Sequence, residues 1–427
     1  MVDFGPLLIL LVIAIGVVVI STRLRFPYTA ALLLLGISIG FVGQRVSLLG
    51  IVRQGGFLFS PEMFFYILLP PIIFDMGLHI NFHDLRRRAP FVLFLVFVGV
   101  LFTTVFTGLA VAWLVGLPIL VALLLAAIVS PTDPIAVVDL LRRHRIPSEL
   151  SAIVEGESLL NDAVGVVTFV VILGIITSGT WDPLGSVAAF SWQVVGGIGV
   201  GLLVAGGVYV LHRRLNDPAV ETAVTIVAAY GSYLLASDLG ASGIIATAIA
   251  GIAVGTWVAP RAISPEVRAS LNTFWKVVVY VDNSIIFLAM GILVAPSDIV
   301  SHLGLVLLVV AILYAGRAAF VYMHRPLSSV TSRPSAQLPT SWYNVLVLSG
   351  IRGAIPVVLA LSLLRSTTPL TTEVVSTIVG VVIGVAAISV VAGNLLASAY
   401  ITRRFPVQYG PVETPTAFVP ELEGSAK

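Results

Sequence analysis

The chain has 427 residues, 58% of them apolar and only 10% charged, and its mean hydropathy is +1.07. Soluble globular proteins carry about 25% charged residues, so a soluble protein is excluded and a polytopic membrane protein indicated. The net charge of +2 comes with no basic tract, which argues against nucleic acid as a partner, and zero cysteines exclude disulfides, thiolate metal sites and cysteine nucleophiles.

Residues 4–20 lack a basic leader and a small-residue cleavage site, so they read as a retained helix and not as a signal peptide. From there on, apolar runs of about 17 to 25 residues recur. They predict an all-α protein of thirteen spans, centred near residues 12, 35, 70, 102, 129, 162, 200, 229, 249, 284, 312, 353 and 387.

Alternate loops divide the arginines unequally. One set holds sixteen: Arg23, Arg25, Arg86, Arg87, Arg88, Arg142, Arg143, Arg145, Arg213, Arg214, Arg261, Arg268, Arg325, Arg333, Arg403 and Arg404. The other holds three: Arg45, Arg53 and Arg365. The positive-inside rule makes the first set cytoplasmic, which puts the N-terminus outside and the C-terminus inside a cell membrane (plasma or inner). Residues 405–427, rich in Pro, Glu and Thr, are expected to form a short disordered cytoplasmic tail. The segment Gln44 to Phe59 is expected to lie along the outer surface. No stretch suits a soluble domain, so the function lies in the membrane.

Two spans are interrupted. In the fifth, Ser130-Pro131-Thr132-Asp133-Pro134 sets two prolines around a carboxylate, which removes backbone donors and should unwind the helix. In the twelfth, Ser349-Gly350-Ile351-Arg352-Gly353-Ala354-Ile355-Pro356 does the same around an arginine. A broken helix in each half of the chain is the pattern of inverted repeats with a transport site between them. Asp133 and Arg352 are placed to offset the half-helix end charges.

Between these breaks lies Glu155-Gly-Glu157-Ser158-Leu-Leu-Asn161-Asp162, in a segment otherwise apolar enough to span. In a helix starting near Glu149, Asp162 lies about 20 Å in, somewhat past the middle of a hydrocarbon core about 30 Å thick. Residues three and four apart share a face, so Ser158, Asn161 and Asp162 point one way with Glu157 on the flank.

The ionisable groups singled out inside spans are Asp75, Asp133, Glu157, Asp162, Lys276, Arg317 and Arg352. Each costs at least about 2.5 to 3.5 kcal/mol facing lipid, so they should face one another or a water-filled cavity. Asp162 reads as a carboxylate for which protons and cations compete, the alternative being a structural carboxylate. Asp133 is either a cap on a broken helix end or a direct ligand. Ser158 and Thr132 suit a hard cation, which prefers oxygen, although a serine here also serves plain packing. Glu157 and Arg317 read as a buried structural pair. Arg352 serves the same acid or the helix ends. Lys276 reads as snorkelling to the interface. Asp75 is either a ligand or part of an access funnel. The six histidines fall near span ends or in loops, so none is a midplane relay, although His144 is placed to modulate pH response.

These motifs, in this order and spacing, together with Gly316-Arg317 and Gly350-Ile-Arg352-Gly353, resemble the monovalent cation:proton antiporters of the NhaP and sodium/proton exchanger type. The resemblance runs over nearly the whole transmembrane chain, residues 1–404. It implies thirteen helices, core helices at about 89–176 and 302–400 moving in an elevator-like alternation, and scaffold helices at about 4–80 and 187–297 that form a homodimer. It also implies Asp162 as the ion- and proton-binding acid, with Ser158, Asp133 and the Thr132 carbonyl as further ligands of Na⁺. Asn161 matches the asparagine of the electroneutral branch, and Asp75 a third-helix acid that is glutamate in some archaeal members.

The expected function is exchange of Na⁺ (or Li⁺) for H⁺ without cofactor, by a transporter and not an enzyme, one for one because a single aspartate titrates. The rival within the class is K⁺/H⁺ exchange. A cation channel is a more distant alternative, and an intramembrane aspartyl protease would need a Gly-x-Gly-Asp or Tyr-Asp sequence in a span, which the chain lacks.

Overall fold

The computed structural model describes residues 5–24, 27–43, 60–133, 135–144, 146–213, 215, 217–293, 301–330, 338–365 and 368–405. The segment 44–59 and the tail from 406 on, for which surface-lying and disordered conformations were expected, lie outside the described residues.

The described residues are helical throughout and include no strand. In chain order the helices are α1 (Gly5–Leu24), α2 (Tyr28–Gly43), α3 (Pro61–His79), α4 (Phe82–Val115), α5 (Ile119–Val129), α6 (Ile135–Arg143), α7 (Ser148–Ser178) and α8 (Pro183–His212). They continue with α9 (Pro218–Asp238), α10 (Gly243–Arg261), α11 (Pro265–Leu293), α12 (Leu303–Val330), α13 (Thr340–Leu348), α14 (Ala354–Arg365) and α15 (Thr372–Arg404). Nine helices among the described residues are long and apolar enough to cross a membrane, and α1, α2, α5 and α14 add shorter apolar stretches. Every predicted span centre falls in one of these helices or in a break between two of them.

Helix starts follow local chemistry. The side chains of Ser60, Asn81, Asp182, Asp217, Ser242 and Thr371 each accept from a first-turn backbone N–H, satisfying donors that the helix itself leaves free. Gly116 and Gly179 close α4 and α7 in the left-handed conformation. Single π turns interrupt α3 at Phe64–Leu68, α4 at Phe94–Val98, α10 at Val254–Val258 and α15 at Ser389–Gly393.

Two groups of helices pack side by side. In one, α11 lies along α2, and α10 packs on α3, α8 and α9. In the other, α4 packs on α5, α7 and α12, and α15 on α14 and α12. Without a hydrophobic drive between helices in lipid, close approach depends on small residues. Gly36 and Gly291 face each other across α2 and α11 so tightly that a Cβ on either would overlap the other helix's backbone.

Polar groups close the helix ends. Arg88 pairs with Glu149 and Arg142 with Glu155, each at 2.8 Å, which ties α4 and α6 to the start of α7. His212 and Glu221 join α8 to α9 at 3.8 Å, both buried. The His212 Nδ1 donates to the Val208 carbonyl at 3.0 Å, which leaves Nε2 turned toward the Glu221 carboxylate.

Gly36→Val should cost about 1–3 kcal/mol by overpacking the α2–α11 crossing. Gly174→Ala, where an added Cβ meets nothing within 4 Å, should be neutral. Thermal unfolding of the purified protein in detergent checks both.

Candidate functional site

The site is built where two broken helices cross. Helix α5 ends at Val129, and the Ser130 N–H and hydroxyl turn back to the Ala127 carbonyl at 3.4 and 3.0 Å. Pro131 has no N–H to continue the ladder. The chain runs through Thr132 and Asp133 without helix, and Asp133 Oδ1 accepts from the Ile135 N–H at 3.1 Å, which caps α6. The second break runs from Ser349 to Gly353, between α13 and α14.

The breaks satisfy each other's backbone. The Asp133 N–H donates to the Ile351 carbonyl at 2.7 Å. The Arg352 N–H donates to Ser389 Oγ at 2.9 Å, a partner presented by the π turn of α15. The approach is so close that a Cβ at Gly353 would overlap the Asp133 side chain, and one at Gly165 of α7 would overlap the Pro131 ring.

Helix α7 runs beside the first break and lends it three polar side chains. Asn161 Nδ2 donates to Thr132 Oγ1 at 2.6 Å, and Ser158 Oγ lies 3.5 Å from the same oxygen. Asn161, Ser158 and Thr132 are all buried. Asp133, Thr132 and Asp162 line one cavity of about 50 Å³. This exceeds the roughly 10–15 Å³ a single water needs, so the space holds a small cation or a few waters. The Asp162 side chain has no hydrogen-bond partner among the described residues, and its carboxylate is therefore left to whatever enters.

Behind this cavity a charged cluster is closed off. Arg317 Nη1 and Nη2 donate to Glu157 Oε1 and Oε2 at 2.7 and 3.0 Å, a bidentate pair, while its Nε donates to the Leu346 carbonyl at 2.8 Å. Arg352 shares a small buried space with Glu157, Asn161 and Arg317, and its Nη1 has no hydrogen-bond partner among the described residues. Two guanidinium groups thus lie around one carboxylate, which is hydrogen-bonded to Arg317.

Asp75 is not part of the cavity. Its Oδ1 lies 2.9 Å from His79 Nδ1, but that N–H points to the Asp75 carbonyl at 3.0 Å, so the side-chain contact is electrostatic, without an aligned hydrogen bond. His79 Nε2 lies 3.1 Å from Asn272 Oδ1 on α11. Lys276 is exposed, and His144 is bound to the Phe405 carbonyl at 2.7 Å. Sequence reasoning misses Asn283, which lines the Asp162 cavity, and its neighbour Asp282, which is buried. The signal was present in Asp282-Asn283-Ser284, three consecutive polar residues inside an apolar span.

Two helices broken at facing points, with an oxygen-lined and otherwise unpartnered carboxylate between them, define a secondary transporter. The family model described as sodium/hydrogen exchanger, transmembrane, matches residues 7–397, and the chain belongs to that family. It is 32% identical to the Na(+)/H(+) antiporter NhaP of Pseudomonas aeruginosa, over 81% of this chain and 82% of that protein. It is also 32% identical to the Na(+)/H(+) antiporter NhaH of Halobacillus dabanensis, over 84% of this chain and 89% of that protein. The low-affinity Na(+)/H(+) antiporter NhaS1 of Synechocystis is 31% identical over 83% of this chain and 67% of its own length. The fold is that of the sodium proton antiporter MjNhaP1 of Methanocaldococcus jannaschii, with a TM-score of 0.76, 23% identity, and coverage of 94% of this chain and 97% of that one.

Glu157→Gln leaves the buried Arg317 charge without its partner and should cost about 3–5 kcal/mol. The double variant Glu157→Gln/Arg317→Gln should recover part of the loss. Melting temperatures of the purified single and double variants read the difference.

Proposed function

We propose that the chain is a secondary active antiporter exchanging Na⁺ or Li⁺ for H⁺, with Asp162 as the group that carries either ion. The observation that supports this most directly is the Asp162 carboxylate, unpartnered and facing a small buried cavity beside Asp133 and Thr132. A bare carboxylate is costly in such surroundings, so it is held either protonated or with a cation. Asp133, Ser158 and Thr132 supply further oxygen ligands, as a hard cation requires, and Asn161 positions the Thr132 hydroxyl by donating to it.

The same cost enforces exchange. An empty, ionised Asp162 is unfavourable to carry between the two sides, whereas the protonated and cation-loaded forms have the same charge. Exchange is therefore one for one and electroneutral. Glu157, locked in its bidentate pair with Arg317, takes no part in the proton balance. Asp75, paired with His79, acts on ion access and not on ligation. The core helices of α4–α7 and α12–α15 move against a scaffold of α1–α3 and α8–α11 that dimerises, in a cell membrane with the arginine-rich ends cytoplasmic.

The test is dissipation of a preformed acid-inside pH gradient in everted vesicles on addition of Na⁺, Li⁺ or K⁺. Na⁺ and Li⁺ should collapse the gradient, and Asp162→Asn should abolish the response. A response to K⁺ alone would make this a potassium exchanger, and a response surviving in Asp162→Asn would remove Asp162 from the central role. In proteoliposomes the rate should not change when the membrane potential is clamped at different values.

A further inference from the structure

We infer that Asn283 on α11 supplies an additional oxygen ligand to the transported cation, from the wall of the cavity opposite the carboxylates, and so contributes to cation selectivity. This rests on the reading of the Asp162 cavity as the cation site.

The cavity has unlike walls, one of them formed by Gly353, Ala354, Ile355 and Pro356 at the second break. Asp133, Thr132 and Asp162 come from the first break and from α7. The facing wall, from α3 and α11, is otherwise apolar and includes Ile72, Ile73, Met76, Ile286 and Phe287. Asn283 is the one hydrogen-bonding side chain on that wall among the described residues. It is 3% exposed and lines the cavity together with Asp162 and Asp133. Burying an amide on an apolar wall is costly unless it meets a polar partner, and an apolar residue of the same size would fill the space without that cost. The amide carbonyl oxygen is, however, a good ligand for a hard cation.

A neutral ligand also fits the charge balance. It strengthens the oxygen field without adding a further acid beside Asp162 and Asp133, so the one-for-one exchange is undisturbed. Its origin matters too, because α11 packs on α1, α2, α3 and α9, whereas the carboxylates stand in the group around α5 and α7. A cation held by both walls has its full shell only when the two helix groups stand in the register seen here. Ligation from Asn283 therefore favours cations small enough to be gripped from both sides.

The experiment measures the KM for Na⁺, Li⁺ and K⁺ in Asn283→Ala, Asn283→Leu and Asn283→Ser, with the thermal shift each cation induces in the purified protein. Asn283→Leu, close to the original in size, guards against mere loss of packing. Loss of the ligand should raise the KM for the preferred cation roughly tenfold, in line with removing one supporting group at a metal site. It should also narrow the preference over the other two cations and shrink the cation-induced thermal shift, and Asn283→Ser, which keeps an oxygen, should fall between. Lower melting temperatures with unchanged KM ratios and unchanged cation-induced shifts would assign Asn283 to packing and overturn the inference. If Asp162→Asn retains exchange, the site reading fails first, and that outcome is distinct from a failure at Asn283 alone.

Discussion

An interrupted backbone inside a hydrocarbon core must find partners for the polar groups that its own helix no longer satisfies. In this protein the two interruptions meet that demand by crossing. The Asp133 N–H is taken up by the Ile351 carbonyl of the other break, and the Arg352 N–H by Ser389 in the π turn of α15. Neither break is satisfied in isolation, so each holds the other in place. Gly353 makes the approach possible, because any side chain there would occupy the space of Asp133.

The same crossing sorts the acids of α7 into two roles. Glu157 and Asp162 are five residues apart, which turns them about 140° from each other around the helix. Glu157 therefore meets Arg317 and is neutralised by a bidentate pair, while Asp162 meets the cavity and no hydrogen-bond donor among the described residues. Arg352, brought beside Glu157 by the second break, adds positive charge behind the cavity, and Asn161 stands between the two regions with its Nδ2 on Thr132. A stabilised charge cluster thus lies next to a carboxylate that lines the cavity.

The wall of the cavity from α3 and α11 is largely apolar. Apolar side chains of α3 and α11 face the carboxylates and offer water little to bind. Asn283 interrupts that wall at one point. Hydrophobic packing around a few oxygen atoms raises the strength of each electrostatic contact inside.

How much of this was legible beforehand depended on whether a feature was local. The membrane class, the helix-rich fold and the two breaks follow from composition and from prolines and glycines within apolar runs, because hydrocarbon penalises polar groups wherever they occur. Glu157, Arg317, Asp133 and Asp162 stood out for the same reason. Partnership did not follow from it. That Ser389 serves the Arg352 backbone and that Asn283 lines the cavity with Asp162 both depend on the rotation and close approach of helices distant in the chain. The sequence by itself determined which residues are too costly to leave alone in lipid; only the tertiary structure decided which group relieves each of them, because that choice is made across helix faces whose contacts no local pattern encodes.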